Sequence, residues 1–188
     1  ICADNPKNRR TLEGYTISSS ADAPKKFNFI TSKSFEGVDF HSETGLCFVV
    51  SNVQNRHTLV SIDMDIPQIV GRIRTKSNPF RNKVVHIFNT KATDHYTTFE
   101  DMELIVDEEV KAAQERADML NNAKLSEAAI KQQVNEIKKV EVESYLSYQE
   151  NKFVVNDMVA KLQLYSYYIA TVVYQSDKSL RETYAQSG

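Results

Sequence analysis

Three short apolar runs constrain what this chain can fold into more than any other feature: Phe27-Asn28-Phe29-Ile30, Leu46-Cys47-Phe48-Val49-Val50 and Val84-Val85-His86-Ile87-Phe88. Each is rich in β-branched or aromatic residues and lacks strict alternation, which predicts strands buried on both faces. Ile1-Cys2-Ala3 reads as the end of one more strand, and with Ile rather than Met in first place the chain reads as a fragment of a longer protein. Between the second and third runs lies a helical pattern from Asp65 to Arg74. Asp65 is placed to cap it, Pro67 falls in the first turn, and Ile66, Ile69, Val70 and Ile73 share one face. Strands alternating with helices predict an α/β fold with a parallel sheet flanked by helices.

After residue 98 the period changes. Val106, Val110, Ala113, Ala117 and Leu120 form one helical seam, interrupted at Asn121-Asn122. Ser126 is placed to cap a second helix carrying Ile130, Val134, Ile137 and Val140. Together they predict an αα-hairpin over about residues 102–148. Phe153-Val154-Val155 reads as a short strand, residues 157–175 as a Tyr-rich helix that is apolar nearly all round and therefore buried, and a last helix starts at Asp177. The organisation expected is an α/β unit over 1–98 and a helical region over 99–188.

Charge divides at the same place. Residues 1–98 hold 13 Lys/Arg against 9 Asp/Glu, and residues 99–188 hold 10 against 16, which accounts for the overall −2. Arg72, Arg74, Lys76, Arg81 and Lys83 crowd one stretch of the basic half. Such a patch suits phosphate, the plainer alternative being a solvated face. With 41% hydrophobic and 26% charged residues the composition excludes an intrinsically disordered chain. The apolar stretch Ile169–Val173 falls far short of the roughly 20 residues that cross a bilayer. No secretory leader is legible in the charged first 15 residues, and Cys2 and Cys47 read as reduced thiols, so a cytoplasmic protein without membrane contact is expected.

The chemistry-bearing spacing follows the first run. Thr31 and Ser32 place hydroxyls where ligands bind at the carboxyl end of strands in open α/β sheets. Gly37 permits a backbone conformation or close approach that a Cβ would prevent, and Asp39 can accept hydrogen bonds, for instance from a ribose hydroxyl. Further on, Gln68-Ile69-Val70-Gly71-Arg72 puts Gln68 and Arg72 four apart on one helix face, where a guanidinium can hold a γ-phosphate bidentately.

Thr31-x₅-Gly37-x-Asp39 resembles motif V of superfamily 2 helicases and translocases, and Gln68-x-x-Gly71-Arg72 resembles their motif VI, in the expected order. The chain is also similar to the abbreviated helicase-like proteins of phages and mobile elements. The resemblance covers about residues 1–95 and implies a second RecA-like lobe that closes on an absent N-terminal lobe across ATP. It implies that Thr31, Ser32 and the adjoining Lys33 touch a nucleic acid backbone, DNA in preference to RNA. Gly37 and Asp39 would approach the nucleotide, and Gln68, Gly71 and Arg72 would face ATP. The family's second arginine falls here on Thr75, so Arg74, one residue early, is the better candidate beside Arg72 for the finger that stabilises phosphoryl transfer.

No G-x-x-x-x-G-K-[ST] loop occurs, and Asp107-Glu108-Glu109 reads as the start of a helix rather than a metal-holding strand end. The ATP cradle and the Mg²⁺ ligands are therefore expected on the absent lobe, with the full-length protein a nucleic-acid-dependent ATPase and this piece inactive alone. His41, His57, His86 and His95 are scattered without ligand spacing, so no metal site is expected, and His86 reads as a packed core residue. Tyr165, Tyr167, Tyr168 and Tyr174 could stack bases, but their apolar helix favours packing. Two other classes stay open: a non-catalytic nucleic-acid-binding adaptor, and a helical interaction module built on the acidic hairpin.

Overall fold

The computed structural model describes residues 4, 6–19, 21–23, 25–32, 37–90, 97–139 and 145–187. The chain divides into two compact units, Ile1–Lys91 with Ser176–Gly188, and Ala92–Gln175.

In the first unit, β1 (Cys47–Ser51) and β2 (Val84–Phe88) pair in parallel, Cys47 opposite Val84 through Ser51 opposite Phe88. α1 (Pro6–Thr11) precedes them, α2 (Asp65–Val70) connects them and α6 (Asp177–Ser187) closes the chain. The core is built from Val49, Val60, Ile62, Ile66, Ile69 and Ile73, all buried. His86 ties three elements: its Nδ1 lies 2.7 Å from the Tyr184 hydroxyl on α6 and its Nε2 3.0 Å from Ser51 Oγ on β1. Thr90 Oγ1 also donates to the Asp177 carboxylate at the start of α6.

The expected RecA-like parallel sheet is overturned, because β1 and β2 are its whole extent among the described residues. Phe27–Ile30 joins no ladder; Phe29 is 86% exposed and Phe27 73%. Burial on both faces fails as well. Val49 and Ser51 point inward, while Phe48 (57%), Val50 (64%), Val85 and Ile87 are exposed on the other face. Parallel sheets owe their stability to helices on both faces, and α2, at six residues, is too short to supply a second layer. It ends at Gly71, whose N–H donates to the Pro67 carbonyl. Asp65 is not its cap: Met64 holds that place, and the Asp65 carboxylate instead accepts from the Ser61 amide (2.8 Å). The expected strand at Ile1-Cys2-Ala3 lies outside the described residues.

The second unit is not all-helical, which corrects the expectation for 99–188. α3 (Phe99–Asn122) and α4 (Glu127–Lys139) flank an antiparallel hairpin of β3 (Leu146–Gln149) and β4 (Lys152–Val155), and α5 (Asp157–Thr171) packs on α3. The turn residues Glu150 and Asn151 have φ of +48° and +63°, the left-handed pair a tight two-residue hairpin requires. Thr98 and Asp101 form a reciprocal capping box that starts α3 two turns before Asp107. From Glu103 to Leu120 the residues of α3 that are not exposed are Val106, Val110, Ala113, Ala117 and Leu120, the seam its periodicity marks. Ala117, Leu146 and Phe153 form a core against which Leu120, Ile130, Val134, Ile137 and Tyr148 pack. The hairpin thus lies between the apolar faces of α3 and α4. Val140 falls outside the described residues.

α3 ends at Asn122, where the sequence interrupts the seam, and Asn121 in its last turn locks β4 to it. Its Nδ2 donates to the Phe153 carbonyl and its Oδ1 accepts from the Phe153 amide, both at 2.8 Å. α5 is less enclosed than expected: Val159, Tyr167 and Ile169 are buried, but Met158, Leu162 and Tyr168 are exposed. The Tyr167 hydroxyl donates to the Thr97 carbonyl (2.6 Å), and Tyr174 beyond the helix is fully enclosed.

Replacing Asn121 by Ala strands two backbone groups of β4 and is expected to lower unfolding stability by about 1–3 kcal/mol in urea titration. His86 gives a pH signature. Burial lowers its pKa below the ordinary 6.5, so the unfolded chain binds a proton more readily than the folded one. Stability should fall as pH drops from about 7.5 to 5.5, and His86→Gln should flatten that slope in thermal melts at each pH.

Candidate phosphate site

The two sequence patterns meet through backbone. Past α2 the chain turns extended, and Ile73 forms a parallel bridge with Phe40. The Phe40 amide donates to the Arg72 carbonyl (2.9 Å) and the Arg74 amide to the Phe40 carbonyl (3.0 Å). Ile73 turns inward and is buried, so its neighbours Arg72 and Arg74 face the other way, toward Asp39. Alternation along an extended segment is what puts two arginines on one side.

Arg74 Nε donates to Asp39 Oδ1 at 2.8 Å, across 35 positions of sequence. Arg72 Nη1 stands 3.9 Å from the same oxygen, an ion pair without a hydrogen bond. The side chains differ in depth: Arg72 is 19% exposed, Arg74 47% and Asp39 48%. Arg72 Nε is buried and has no hydrogen-bond partner among the described residues. Buried guanidinium donors are rarely left so, because desolvation without a partner costs free energy. Two cations facing one carboxylate leave a local charge of +1, which favours an anion.

Arg72 is not a helix residue, which corrects the expectation that it shares a helix face with Gln68. It follows the Gly71 C-cap on the extended segment, while Gln68 sits half-buried on α2. Thr31 and Ser32 are exposed and make no hydrogen bond to a described residue. Lys33 lies outside the described residues. Gly37 adopts φ +72° with open space where a Cβ would stand, so its role is backbone conformation rather than close approach. Gly71 is the opposite case. Its φ is −72° and an added Cβ would meet the Pro67 and Gln68 carbonyls at 3.5 and 3.7 Å, ordinary contacts, so the described residues do not demand glycine there.

Residues the motifs did not single out hold the site in place. Phe40 supplies both bridging hydrogen bonds, and nothing in its residue type announces that. Buried Asn78 donates to the carbonyls of Ser42 (2.8 Å) and Gly45 (2.9 Å), fastening the loop after Phe40 to the segment after Arg74. The Asn78-Pro79 dipeptide is the turn signal that marks it. Lys76 and Lys83 are exposed and Arg81 half-buried, and none forms an ion pair with a described residue. His41 and His57 are exposed, Cys47 is half-buried with its thiol pKa pushed up by burial, and His95 and Cys2 lie outside the described residues.

No group of His, Cys, Asp and Glu able to hold a metal ion occurs among the described residues. No described helix is long and apolar enough to cross a membrane. Comparison of the chain with protein-family models, with curated proteins and with solved structures returns no match.

The two glycines separate conformation from ligand access. Gly37→Ala is expected to cost about 1–2 kcal/mol in stability. Gly71→Ala should change it by no more than about 0.5 kcal/mol, both read by chemical denaturation.

Proposed function

We propose that Arg72 and Arg74 bind the polyphosphate of a nucleotide, and that the chain is the C-terminal portion of an ATP-dependent nucleic acid helicase or translocase. The observation that carries this reading is the convergence of residues 37–40 with 72–74, which gathers two guanidinium groups around one carboxylate and leaves a buried Arg72 donor without a partner among the described residues. The motif resemblance supplies the nucleotide and the nucleic acid; the two-stranded sheet lends neither.

The arginines fit the phosphates of ATP. An anion there would take up the Arg72 Nε and the outer donors of Arg74, and the fork geometry of guanidinium matches phosphoryl oxygens. As charge spreads over the transferring group, the same donors would hold it, and such an arginine contributes about 10³–10⁵ in rate where the rest of the site exists. The sequence holds no phosphate-cradling glycine loop, and no group able to hold a metal ion occurs among the described residues; on this reading a further lobe supplies both. Gly71, not required by its own backbone, leaves room for the nucleotide beside Arg72.

Exposed Lys76 and Lys83 favour one other reading, a nucleic-acid-binding adaptor without turnover. Binding to single-stranded DNA that is indifferent to ATP and to Arg72→Met would select it.

In fluorescence titration with a labelled ATP analogue, Arg72→Met and Gly71→Ala are each expected to weaken binding by about tenfold while the melting temperature stays within a few degrees. Unchanged affinity in Arg72→Met removes the phosphate reading. The chain alone should hydrolyse no ATP; turnover above background that Arg72→Met abolishes would show that the cradle is not missing.

A further inference from the structure

We propose that Asp39 is an internal counter-anion: it holds the arginine pair while the site is empty and is displaced when a phosphoryl group binds. The inference rests on the reading of this cluster as a phosphate site and adds how that site is kept closed and opened.

One oxygen serves both arginines. Asp39 Oδ1 accepts from Arg74 Nε at 2.8 Å and stands 3.9 Å from Arg72 Nη1, too far for a hydrogen bond. Each guanidinium offers five donors in a planar fork. The carboxylate engages Arg74 at one position and Arg72 by charge alone, leaving Arg72 Nε buried without a partner among the described residues. It is a partial occupant of a site with capacity for more. A phosphoryl group carries three acceptor oxygens and up to two charges, enough to bond both forks, and cannot share that space with a carboxylate without like-charge repulsion.

The surroundings allow Asp39 to leave. Its side chain is half exposed, so water can take over its solvation, and an ion pair this open to solvent is weak. The arginines stay where they are when it goes, because the Phe40–Ile73 bridge that positions them is made entirely of backbone hydrogen bonds. Asp39 therefore acts as a regulator of access rather than as a group that contacts the reacting phosphate.

The test titrates inorganic triphosphate into the 188-residue chain at low ionic strength by calorimetry, comparing the native protein with Asp39→Asn and Asp39→Ser. With the competing charge removed, both variants are expected to bind about tenfold tighter. In the native protein, triphosphate should shift the Arg74 Nε–H resonance away from its carboxylate-bonded position. Binding by the variants where the native chain binds none would support the exchange in its strongest form. Native binding with variants no tighter, or weaker, overturns the role of Asp39 and leaves the phosphate reading standing. No binding by any of the three removes the phosphate reading itself. Loss of folding in both variants, read by circular dichroism, overturns the exchange too, since a carboxylate needed for folding cannot be released.

Discussion

Two backbone hydrogen bonds at Phe40 organise the candidate site. Each contributes on the order of 1 kcal/mol to stability, yet together they set the register of two segments that are otherwise distant in sequence. Because Ile73 is buried between them, the extended geometry leaves Arg72 and Arg74 no choice of side. The main chain places the arginines and Asp39 offsets their charge, so two cations can stand close together before any ligand arrives. Asn78, with two carbonyls in its grasp, keeps the loop after the bridge from drifting.

The second unit is organised by a different kind of contact. Its core is a helical seam against a short hairpin, and the decisive polar element is the Asn121 amide, which completes the hydrogen bonding of the Phe153 backbone. A side-chain amide donates from its nitrogen while it accepts at its oxygen, which matches the carbonyl and the N–H of Phe153. The tyrosines are drawn into the same framework: Tyr167 gives its hydroxyl to the chain before α3, and Tyr148 stacks tilted against Phe153 at 4.9 Å. Base stacking is closed to Tyr167 and Tyr174, both of which are buried.

Helical elements were the most legible part of the sequence. The α3 seam was visible because five apolar residues at 3.6-residue spacing have no other economical arrangement. The positions of β1 and β2 were visible for a similar reason. What misled was the assumption that unbroken apolar runs imply two covered faces: Phe48, Val50, Val85 and Ile87 are as apolar as their inward neighbours but lie bare. Phe27–Ile30 has strand composition and no strand beside it among the described residues, and pairing is a property of neighbours that a local run does not encode. The β3–β4 hairpin was half hidden, since Glu150-Asn151 lacks the glycine that announces such a turn.

For the site, residue types and order supplied only the candidates, Asp39 two positions after Gly37 and Arg72 and Arg74 separated by one residue, because guanidinium groups suit anions. Tertiary structure alone decided how they meet. Local propensity carried the helical pattern through to Arg74, but the chain leaves the helix at Gly71 to bury Ile73 and pair with Phe40. That choice moved the arginines from a helix face to an extended edge, and it put Asp39, expected to approach a nucleotide, in contact with them. Long-range hydrogen bonding and burial outweighed a turn of helix, and no window of sequence contains both sides of that balance.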